Sequence, residues 1–154
     1  MPLARQRELV VVCAPLRSNV NLSRIVRVAS CCGVTRLMAC GTAKVIAKIA
    51  RDGADTIAVE VHRTLPPVLK QLRAAGYRLV GLEQTTHSQS LHDFHFERKT
   101  ALVVGNERLG LTAEELALMD DVVEIPVYGL PYSYNVATAA TMALYEYCKQ
   151  FPRG

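Results

Sequence analysis

The segment "LVVGNERLGL" (102–111) places two opposite charges side by side between two glycines. A hydrophobic run ends at Gly105, and the carboxylate of Glu107 and the guanidinium of Arg108 follow before Gly110. Glycines permit backbone conformations that other residues resist, so a ligand can approach the main chain closely. A plain strand-to-helix loop explains the glycines equally well, but not an adjacent carboxylate and guanidinium at the end of a strand. The pattern favours a site that binds and orients a polar ligand.

A second polar set lies in "NVNLSRIVRVA" (19–29), which has the spacing of an amphipathic helix. Asn21 precedes Arg27 by six residues, and Arg24 lies between them. The apolar stripe of this helix consists of Leu22, Ile25, Val26 and Ala29. Two interpretations stay open: a capped surface helix with solvated arginines, or a helix that presents Asn21 and Arg27 to a cleft above the sheet.

The third segment, "IPVYGLPYSYNVATAATMALYEY" (125–147), joins a strand to the last helix. Ser133 or Asn135 can cap this helix, which is the simplest role for both residues. One face of the helix repeats small and apolar residues at Val136, Ala139, Ala140, Ala143, Leu144 and Tyr147. Because small side chains allow close approach, this face is expected to be either core or a contact between subunits.

Positive charge is concentrated at the start of the chain, although the net charge is only +4. Residues 1–36 contain six arginines and a single acid, Glu8, which gives a local net charge of +5. The six are Arg5, Arg7, Arg17, Arg24, Arg27 and Arg36. The planar guanidinium group suits phosphates and base edges, so the cluster suggests a polyanionic partner. A solvated basic surface explains the same residues equally well.

Composition predicts one globular domain in a reducing compartment. The chain is 50% hydrophobic with a mean hydropathy of +0.14, so a sizeable core is expected and disorder is not. No apolar run reaches transmembrane length, and the start "MPLARQRELV" lacks the apolar core of a secretory signal. Five cysteines without a Cys-x-x-Cys pair predict buried, reduced thiols and a cytoplasmic location. His92 and His95 have no third ligand cluster in the sequence, so no metal is predicted.

Hydrophobic runs alternate with helical patterns along the chain. Strands are predicted at 8–15, 35–41, 55–63, 77–84, 100–105 and 121–127. Helices are predicted at about 18–32, 43–51, 65–75, 112–120 and 135–150. This alternation predicts an α/β fold with a mostly parallel sheet covered by helices on both faces. Ligands bind such sheets at the carboxyl ends of the strands, where the loops at 105 and 127 begin.

Taken in order, the three segments resemble the SpoU/TrmH branch of the SPOUT superfamily, the RNA ribose 2′-O-methyltransferases. The first motif of that family is an asparagine followed six residues later by an arginine, as in Asn21 and Arg27. The second is Gly-x-Glu-x-x-Gly-Leu, matched by residues 105–111. The third runs from Ile-Pro-Met through Ser-Leu-Asn-Val to Leu-Tyr-Glu. Its matches here are Ile125, Pro126, Ser133, Asn135, Val136, Leu144, Tyr145 and Glu146.

The resemblance implies a C-terminal trefoil knot instead of the ordinary doubly wound sheet that patterning predicts. It also implies S-adenosylmethionine as the cofactor and a ribose 2′-hydroxyl of RNA as the methyl acceptor. By position, the cofactor would contact Gly105, Asn106, Gly110, Ile125, Val127 and Tyr134. The catalytic residues would be Asn21, Arg27, Glu107, Ser133 and Asn135. The residues expected to bind RNA are Arg17, Arg24, Arg27 and Arg108.

Arg27 carries the mechanistic hypothesis. Arginine is effectively always protonated, so we expect it to grip a phosphate and stabilise the developing alkoxide instead of abstracting a proton. Glu107 would orient Arg27 or contact the substrate, and Asn21 would help to fix the ribose. Two positions depart from the family pattern: Val127 replaces methionine, and Tyr134 replaces a leucine that helps to bind the cofactor.

Alternative functions stay open at this point. The sequence also fits a non-catalytic RNA-binding or regulatory module that has kept the fold, with Tyr134 reshaping the cofactor pocket. A nucleotide-cofactor oxidoreductase is disfavoured because the turn "CAPLRSNVNLS" (13–23) has no glycine. We expect a basic stub at 1–7 and a single domain at 8–154, with no extra N-terminal domain, which favours transfer RNA over ribosomal RNA. The resemblance further implies a homodimer through the C-terminal helix region, without membrane or metal.

Overall fold

A computed structural model describes all 154 residues as one seven-stranded sheet flanked by helices. The strands are β1 Leu9–Cys13, β2 Arg36–Cys40, β3 Ala58–His62, β4 Arg78–Leu82, β5 Gln89–Ser90, β6 Thr100–Val104 and β7 Asp121–Glu124. The helices are α1 Asn19–Cys31, α2 Ala47–Ala50, α3 Gly53–Thr56, α4 Leu65–Ala74, α5 Ala113–Ala117 and α6 Val136–Gln150. The predicted α/β class is therefore confirmed.

The sheet is parallel throughout, with the strand order β3-β2-β1-β6-β4-β7-β5. Strand β1 pairs with β2 on one side and with β6 on the other, and β6 continues to β4. All residues of β1 and β6 are buried, which explains why both strands are continuous hydrophobic runs. The carboxyl ends of β1, β6, β4 and β7 therefore meet along one edge.

The sheet separates two hydrophobic cores. One contains the apolar stripe of α1 and the buried face of α6, and the other contains the buried face of α4. Within α6, the buried residues are Ala137, Ala140, Ala143, Leu144 and Tyr147. The small-residue face of this helix packs against α1 in the core. Of the two roles that the sequence left open for this face, core or subunit contact, the structure shows the core.

The structure identifies the residue that caps each helix where the sequence left two candidates. The hydroxyl of Ser18 accepts a hydrogen bond from the Asn21 N–H and begins α1, while Asn135 caps α6. Thr112 caps α5 by accepting from the Glu115 N–H, as the capping pattern predicts.

The region between β2 and β3 differs from its prediction. The helix expected at 43–51 is the single turn α2, and the strand expected from 55 begins at Ala58 because α3 occupies the preceding residues. Gly53 at the start of α3 explains the close packing, since a Cβ there would lie 3.3 Å from the Arg27 Cα. Strand β5 was not predicted, because two residues carry no periodic signal.

The cysteines are all free thiols, but they are not uniformly buried as predicted. Cys13, Cys32 and Cys40 are buried, Cys148 is partly buried and Cys31 is exposed on α1. None of the helices has both the length and the apolar character that a membrane span requires. The trefoil knot implied by the resemblance stays a prediction.

Candidate functional site

A cleft of about 230 Å³ opens where the carboxyl ends of β4, β6 and β7 meet the start of α6. Five predicted cofactor-contacting residues line it: Gly105, Asn106, Gly110, Ile125 and Tyr134. Glu107, Arg108 and Ser133 line it as well. Val127 is the one predicted cofactor residue outside this lining. The edge of the sheet therefore gathers two segments that are about 20 residues apart in sequence.

Glu107 links the loop after β6 to the beginning of α1. Its carboxylate accepts hydrogen bonds from the backbone N–H groups of Arg17 and Ser18, both at 2.8 Å. It also accepts from the side-chain amide of Asn21 at 3.2 Å. The N–H groups at a helix start have no partner within the helix, and a carboxylate is well suited to receive them. Glu107 thus fixes the position of α1 relative to the cleft.

Asn21 continues this network to the third segment. The side-chain oxygen of Asn21 accepts a hydrogen bond of 3.2 Å from the Asn135 amide, whose own oxygen caps α6. Glu107, Asn21 and Asn135 therefore form one chain of hydrogen bonds that joins all three segments found in the sequence. Ser133 lies on the exposed loop two residues before Asn135 and takes no part in these hydrogen bonds.

The pKa of Glu107 reflects two opposing effects. Burial raises it, but hydrogen bonds from the Arg17 N–H, its own backbone N–H, Asn21 and Ser18 outweigh burial and hold the pKa below its ordinary value. Glu107 is therefore a carboxylate at neutral pH and an acceptor, not a proton donor. Nearby, burial, Cys40 and Glu107 raise the pKa of Cys13, so this thiol stays protonated and is not a nucleophile.

Asn106 shapes the loop that carries Glu107. Its side-chain oxygen accepts from the N–H groups of Arg108 and Leu109, and its amide donates to the carbonyl oxygen of Pro15 at 2.9 Å. Its backbone also exchanges hydrogen bonds with Gly110. The Asn106 side chain therefore holds the loop in shape, and its amide keeps one N–H that is not used within the protein.

Gly105 has no room for a side chain. An added Cβ would lie 2.6 Å from the carbonyl carbon of Gly110, which is backbone and cannot swing aside. We expect Gly105→Ala to lower the free energy of unfolding by about 1–3 kcal/mol, as overpacking does elsewhere, and to distort the cleft. Gly129→Ala is the matched control, because nothing lies within 4 Å of the Cβ position there. Urea unfolding of both variants checks this, and equal stabilities would contradict the steric argument.

Arg27 does not line the cleft. It is exposed, and its guanidinium donates no hydrogen bond and forms no ion pair within the protein. Six residues of α-helix place it about 9 Å beyond Asn21 along the axis and about 240° around it. The expectation that α1 presents Asn21 and Arg27 to one cleft is wrong for both residues: neither lines the cleft, and Asn21 is buried and reaches the site only through its hydrogen bonds to Glu107 and Asn135. The expectation that Glu107 orients Arg27 is also wrong, because the carboxylate binds Arg17, Ser18 and Asn21. Asn21 and Arg27 point in different directions because six residues are not a whole number of helical turns.

The structure adds three polar lining residues that were not predicted from the sequence. Glu83 and Gln84 follow β4, and Glu124 ends β7, so all three lie at the same edge as the predicted residues. Glu83 and Gln84 lay inside the strand predicted at 77–84, and only the observed end of β4 at Leu82 places them where ligands bind a parallel sheet. Glu83 accepts hydrogen bonds from the N–H groups of Leu111 and Gln84, at 2.9 and 3.0 Å.

The basic cluster divides into internal and solvent-facing arginines. Arg7 is only 6% exposed and donates to the carbonyl oxygens of Cys32 and Phe151, both at 2.6 Å. Arg36 is paired with Glu60 on the neighbouring strand. Those two are structural, which corrects the interpretation of the whole cluster as one surface. The remaining site candidates are exposed and form no ion pair: Arg17, Arg24, Arg27 and Arg108.

A second, more apolar groove of about 500 Å³ lies beside the cleft. It runs between the loop after β7 and the outer face of α6, and Ile125 and Tyr134 line both cavities. Its other lining residues are Leu91, His92, Pro126, Tyr128, Thr141, Met142, Tyr145 and Glu146. Tyr145 is 72% exposed although it lies at the edge of this groove.

No group of three or more His, Cys, Asp or Glu side chains is arranged to hold a metal ion.

A parallel sheet with a polar cleft at its carboxyl edge defines an α/β ligand-binding domain. The chain belongs to the SpoU rRNA Methylase family, whose model matches residues 8–145. It is 28% identical over 149 residues to the tRNA (guanosine(18)-2′-O)-methyltransferase of Escherichia coli K12, covering 95% of this chain and 65% of that protein. The chain therefore spans about two thirds of that relative's length.

Two solved structures have the same fold. The TrmH/SpoU tRNA modifying enzyme of A. aeolicus superposes with a TM-score of 0.89 at 28% identity, covering 96% of this chain and 77% of that one. The SpoU methyltransferase AviRb of Streptomyces viridochromogenes, in complex with the cofactor AdoMet, gives 0.80 at 28% identity, covering 99% and 64%. The family suggested by the three sequence segments is therefore confirmed.

Proposed function

We propose that this protein transfers a methyl group from S-adenosylmethionine to a ribose 2′-hydroxyl of transfer RNA. The observation that carries the proposal is the hydrogen-bonded chain of Glu107, Asn21 and Asn135, which ties the three family segments together beside one cleft. Support for the cofactor comes from a relative solved with AdoMet, and support for transfer RNA comes from relatives named for that substrate.

The cleft has the character that the cofactor requires. Apolar side chains of Leu82, Val104 and Ile125 provide a surface for a base, and the backbone around Gly105 and Tyr134 offers polar groups. A carboxylate with no internal partner, that of Glu124, faces the same space and suits a cationic ligand. The bound cofactor supplies an activated methyl group. The chain's own task is to hold that group in line with the ribose oxygen.

Exposed arginines would hold the RNA. Arg17 and Arg24 lie at the start and along the outer face of α1, and Arg108 lies on the rim of the cleft. Each guanidinium is free to make bidentate contacts with phosphate. Arg27 would contact the phosphate nearest the target ribose and stabilise negative charge on the oxygen as its proton leaves to solvent. Ser133, exposed beside the cleft, would bind the ribose.

The test is methyl transfer to transfer RNA transcripts with labelled S-adenosylmethionine. We expect label in a dinucleotide that resists alkaline cleavage, since a methylated 2′-oxygen cannot attack the neighbouring phosphate. A transcript with a 2′-deoxy nucleotide at the labelled position should accept no methyl group. RNA binding without cofactor binding in the calorimeter would contradict this proposal and favour the non-catalytic RNA-binding module, with Tyr134 closing the cleft.

We also propose that two protomers associate through the groove beside α6. The alanine face of α6 is used inside the protomer, so a partner would need the opposite face, which presents Thr141, Met142 and Tyr145. Exposed tyrosines on the adjoining loop extend this surface: Tyr128 and Tyr132. Contiguous exposed aromatic area of this kind is typical of an interface.

Tyr145→Arg should therefore dissociate the dimer. A buried interface tyrosine typically contributes about 2 kcal/mol, so we expect the dissociation constant to rise about 30-fold. Val61→Arg is the matched control, because Val61 is also an apolar residue with 72% exposure, but it lies on the far edge strand β3. Sedimentation velocity measures both. Dissociation by Val61→Arg, or a monomeric wild type, would contradict the proposed interface.

A further inference from the structure

Two glutamates, Glu83 and Glu124, lie at the ends of neighbouring strands and line the cleft. The parallel register pairs Leu82 of β4 with Val123 of β7, and the Glu83 N–H continues this ladder by donating to the Val123 carbonyl oxygen. Glu83 and Glu124 are therefore the next cross-strand neighbours, on strands that lie about 4.8 Å apart. Because side chains alternate along a strand, both point away from the core that contains Val123.

The two carboxylates differ in how their oxygens are used. Glu83 accepts from the N–H groups of Leu111 and Gln84, which holds it against the loop after β6. The Glu124 carboxylate accepts no hydrogen bond and joins no ion pair, although it lines the cleft. Adjacent like charges are unfavourable unless a positive group compensates them. Within the protein, no lysine or arginine does so.

The cleft as a whole is negatively charged. Its acidic lining residues are Glu83, Glu107 and Glu124, and its single basic lining residue, Arg108, is exposed on the rim. Backbone N–H groups compensate Glu107, and two more compensate Glu83. Of the three carboxylates, that of Glu124 alone has no partner within the protein and is available to a ligand. This contrasts with the solvent-facing arginines outside the cleft, Arg17, Arg24 and Arg27, which suit an anion.

We propose that Glu124 is a specificity-determining residue that recognises the positive sulfur of S-adenosylmethionine and so favours it over the neutral product, S-adenosylhomocysteine. The inference rests on the proposed function. A sulfonium centre has no N–H or O–H to donate, so a protein distinguishes it from a neutral thioether by its charge, and a nearby carboxylate is one group that does so. Glu124 faces a cation before transfer and a neutral thioether afterwards, because the electron pair of the broken C–S bond remains on sulfur.

This arrangement also favours product release. The attraction between Glu124 and the ligand is lost when the methyl group moves to the ribose oxygen and the hydroxyl proton leaves. Glu124 then has no positive partner, which weakens binding of the product. A single charged group near the cofactor is expected to give about a 10-fold preference in affinity, because the cleft is open to water and screens the interaction.

The experiment measures the binding of two ligands by calorimetry with the full chain, and needs no RNA. The ligands are S-adenosylmethionine and S-adenosylhomocysteine, which share every group except the methyl and its charge. For Glu124→Gln we expect the dissociation constant of the first to rise about 10-fold and that of the second to change less than about 2-fold. Glu124→Asp should recover part of the preference. Glu114→Gln, which removes an exposed charge outside the cleft, should change neither.

The possible results separate the two proposals. Equal weakening of both ligands by Glu124→Gln would overturn the inference, since Glu124 would then contact a group that they share, such as the ribose. No change in either would overturn it as well. If the wild-type protein, shown to be folded by circular dichroism, bound neither ligand, the proposed function itself would fail and the inference would fail with it.

Discussion

Arg27→Ala should lower the turnover number for RNA methylation by about 100-fold or more while leaving the affinity for S-adenosylmethionine unchanged. A guanidinium that stabilises charge developing on the ribose oxygen contributes mainly in the transition state, and loss of one such group typically costs two to three orders of magnitude. The cofactor cleft does not include Arg27, so its binding should be untouched. Single-turnover rates and calorimetry measure the two quantities separately.

Two further variants serve as controls for Arg27→Ala. Arg24→Ala removes an equally exposed arginine one turn earlier on α1 and should raise the Michaelis constant for RNA more than it lowers turnover. Arg27→Lys keeps the charge but loses the bidentate geometry, so it should recover activity only in part. Wild-type turnover by Arg27→Ala, with normal cofactor binding, would remove Arg27 from the mechanism.

The position of Arg27 outside its own cleft leads to a sharper version of the experiment. If the proposed dimer brings Arg27 of one protomer to the cleft of the other, mixed dimers of Arg27→Ala and Ser133→Ala should regain one complete site. If each cleft uses its own arginine, no site in the mixed dimer is complete. On random mixing half of the dimers are mixed and each has one complete site of two, so recovery of about a quarter of the wild-type activity, or its absence, decides between the two arrangements.

The sequence was most informative where function depends on strand ends. Alternating hydrophobic runs predicted the parallel sheet, and the rule for its carboxyl edge pointed to the loop that begins at Gly105, which lines the cleft. Ile125, which also lines it, was predicted only from the family resemblance. Glu124 escaped notice because it lay inside a predicted strand, and its exposure depends on the pairing of β7 with β4. Strand order is a long-range property that periodicity along one chain does not contain.

Side-chain pairing was equally hidden from the sequence. Asn21 and Glu107 are 86 residues apart, so their hydrogen bond follows from the adjacency of β1 and β6 and not from any local pattern. Arg7 looked like part of a basic surface until the structure placed it between two carbonyl oxygens and beside the ring of Tyr147. Charge counts report how many cations exist, whereas packing decides which remain available to RNA.

Glu107→Gln is expected to destabilise the protein at neutral pH by about 1–2 kcal/mol, less than a fully buried charge would, because Glu107 is partly exposed. The carboxylate accepts three hydrogen bonds, from Arg17, Ser18 and Asn21. A neutral amide replaces one acceptor oxygen by an N–H group, which would face donors at the start of α1. Loss of this anchor should also displace Asn21 and lower methylation activity.

The pH dependence of the difference in stability between wild type and Glu107→Gln tests whether the charge of Glu107 causes it. The pKa of Glu107 in the folded protein lies below its ordinary value of 4.5, so the unfolded chain binds more protons in that range. The stability that Glu107 contributes is therefore complete above about pH 4.5 and is lost as the pH falls through the folded-state pKa. We expect the gap between wild type and Glu107→Gln to be constant from pH 8 to about 6 and to narrow below about 4.5.

Glu124→Gln provides the comparison for this experiment. It makes the same chemical change in the same cleft, but the Glu124 carboxylate has no hydrogen bond to lose. Its free energy of unfolding should stay within about 0.5 kcal/mol of wild type across the pH range. Urea unfolding of the three proteins at several pH values measures all of these quantities. A gap for Glu107→Gln that stays constant down to pH 3 would show that the side chain acts through packing and not through its charge.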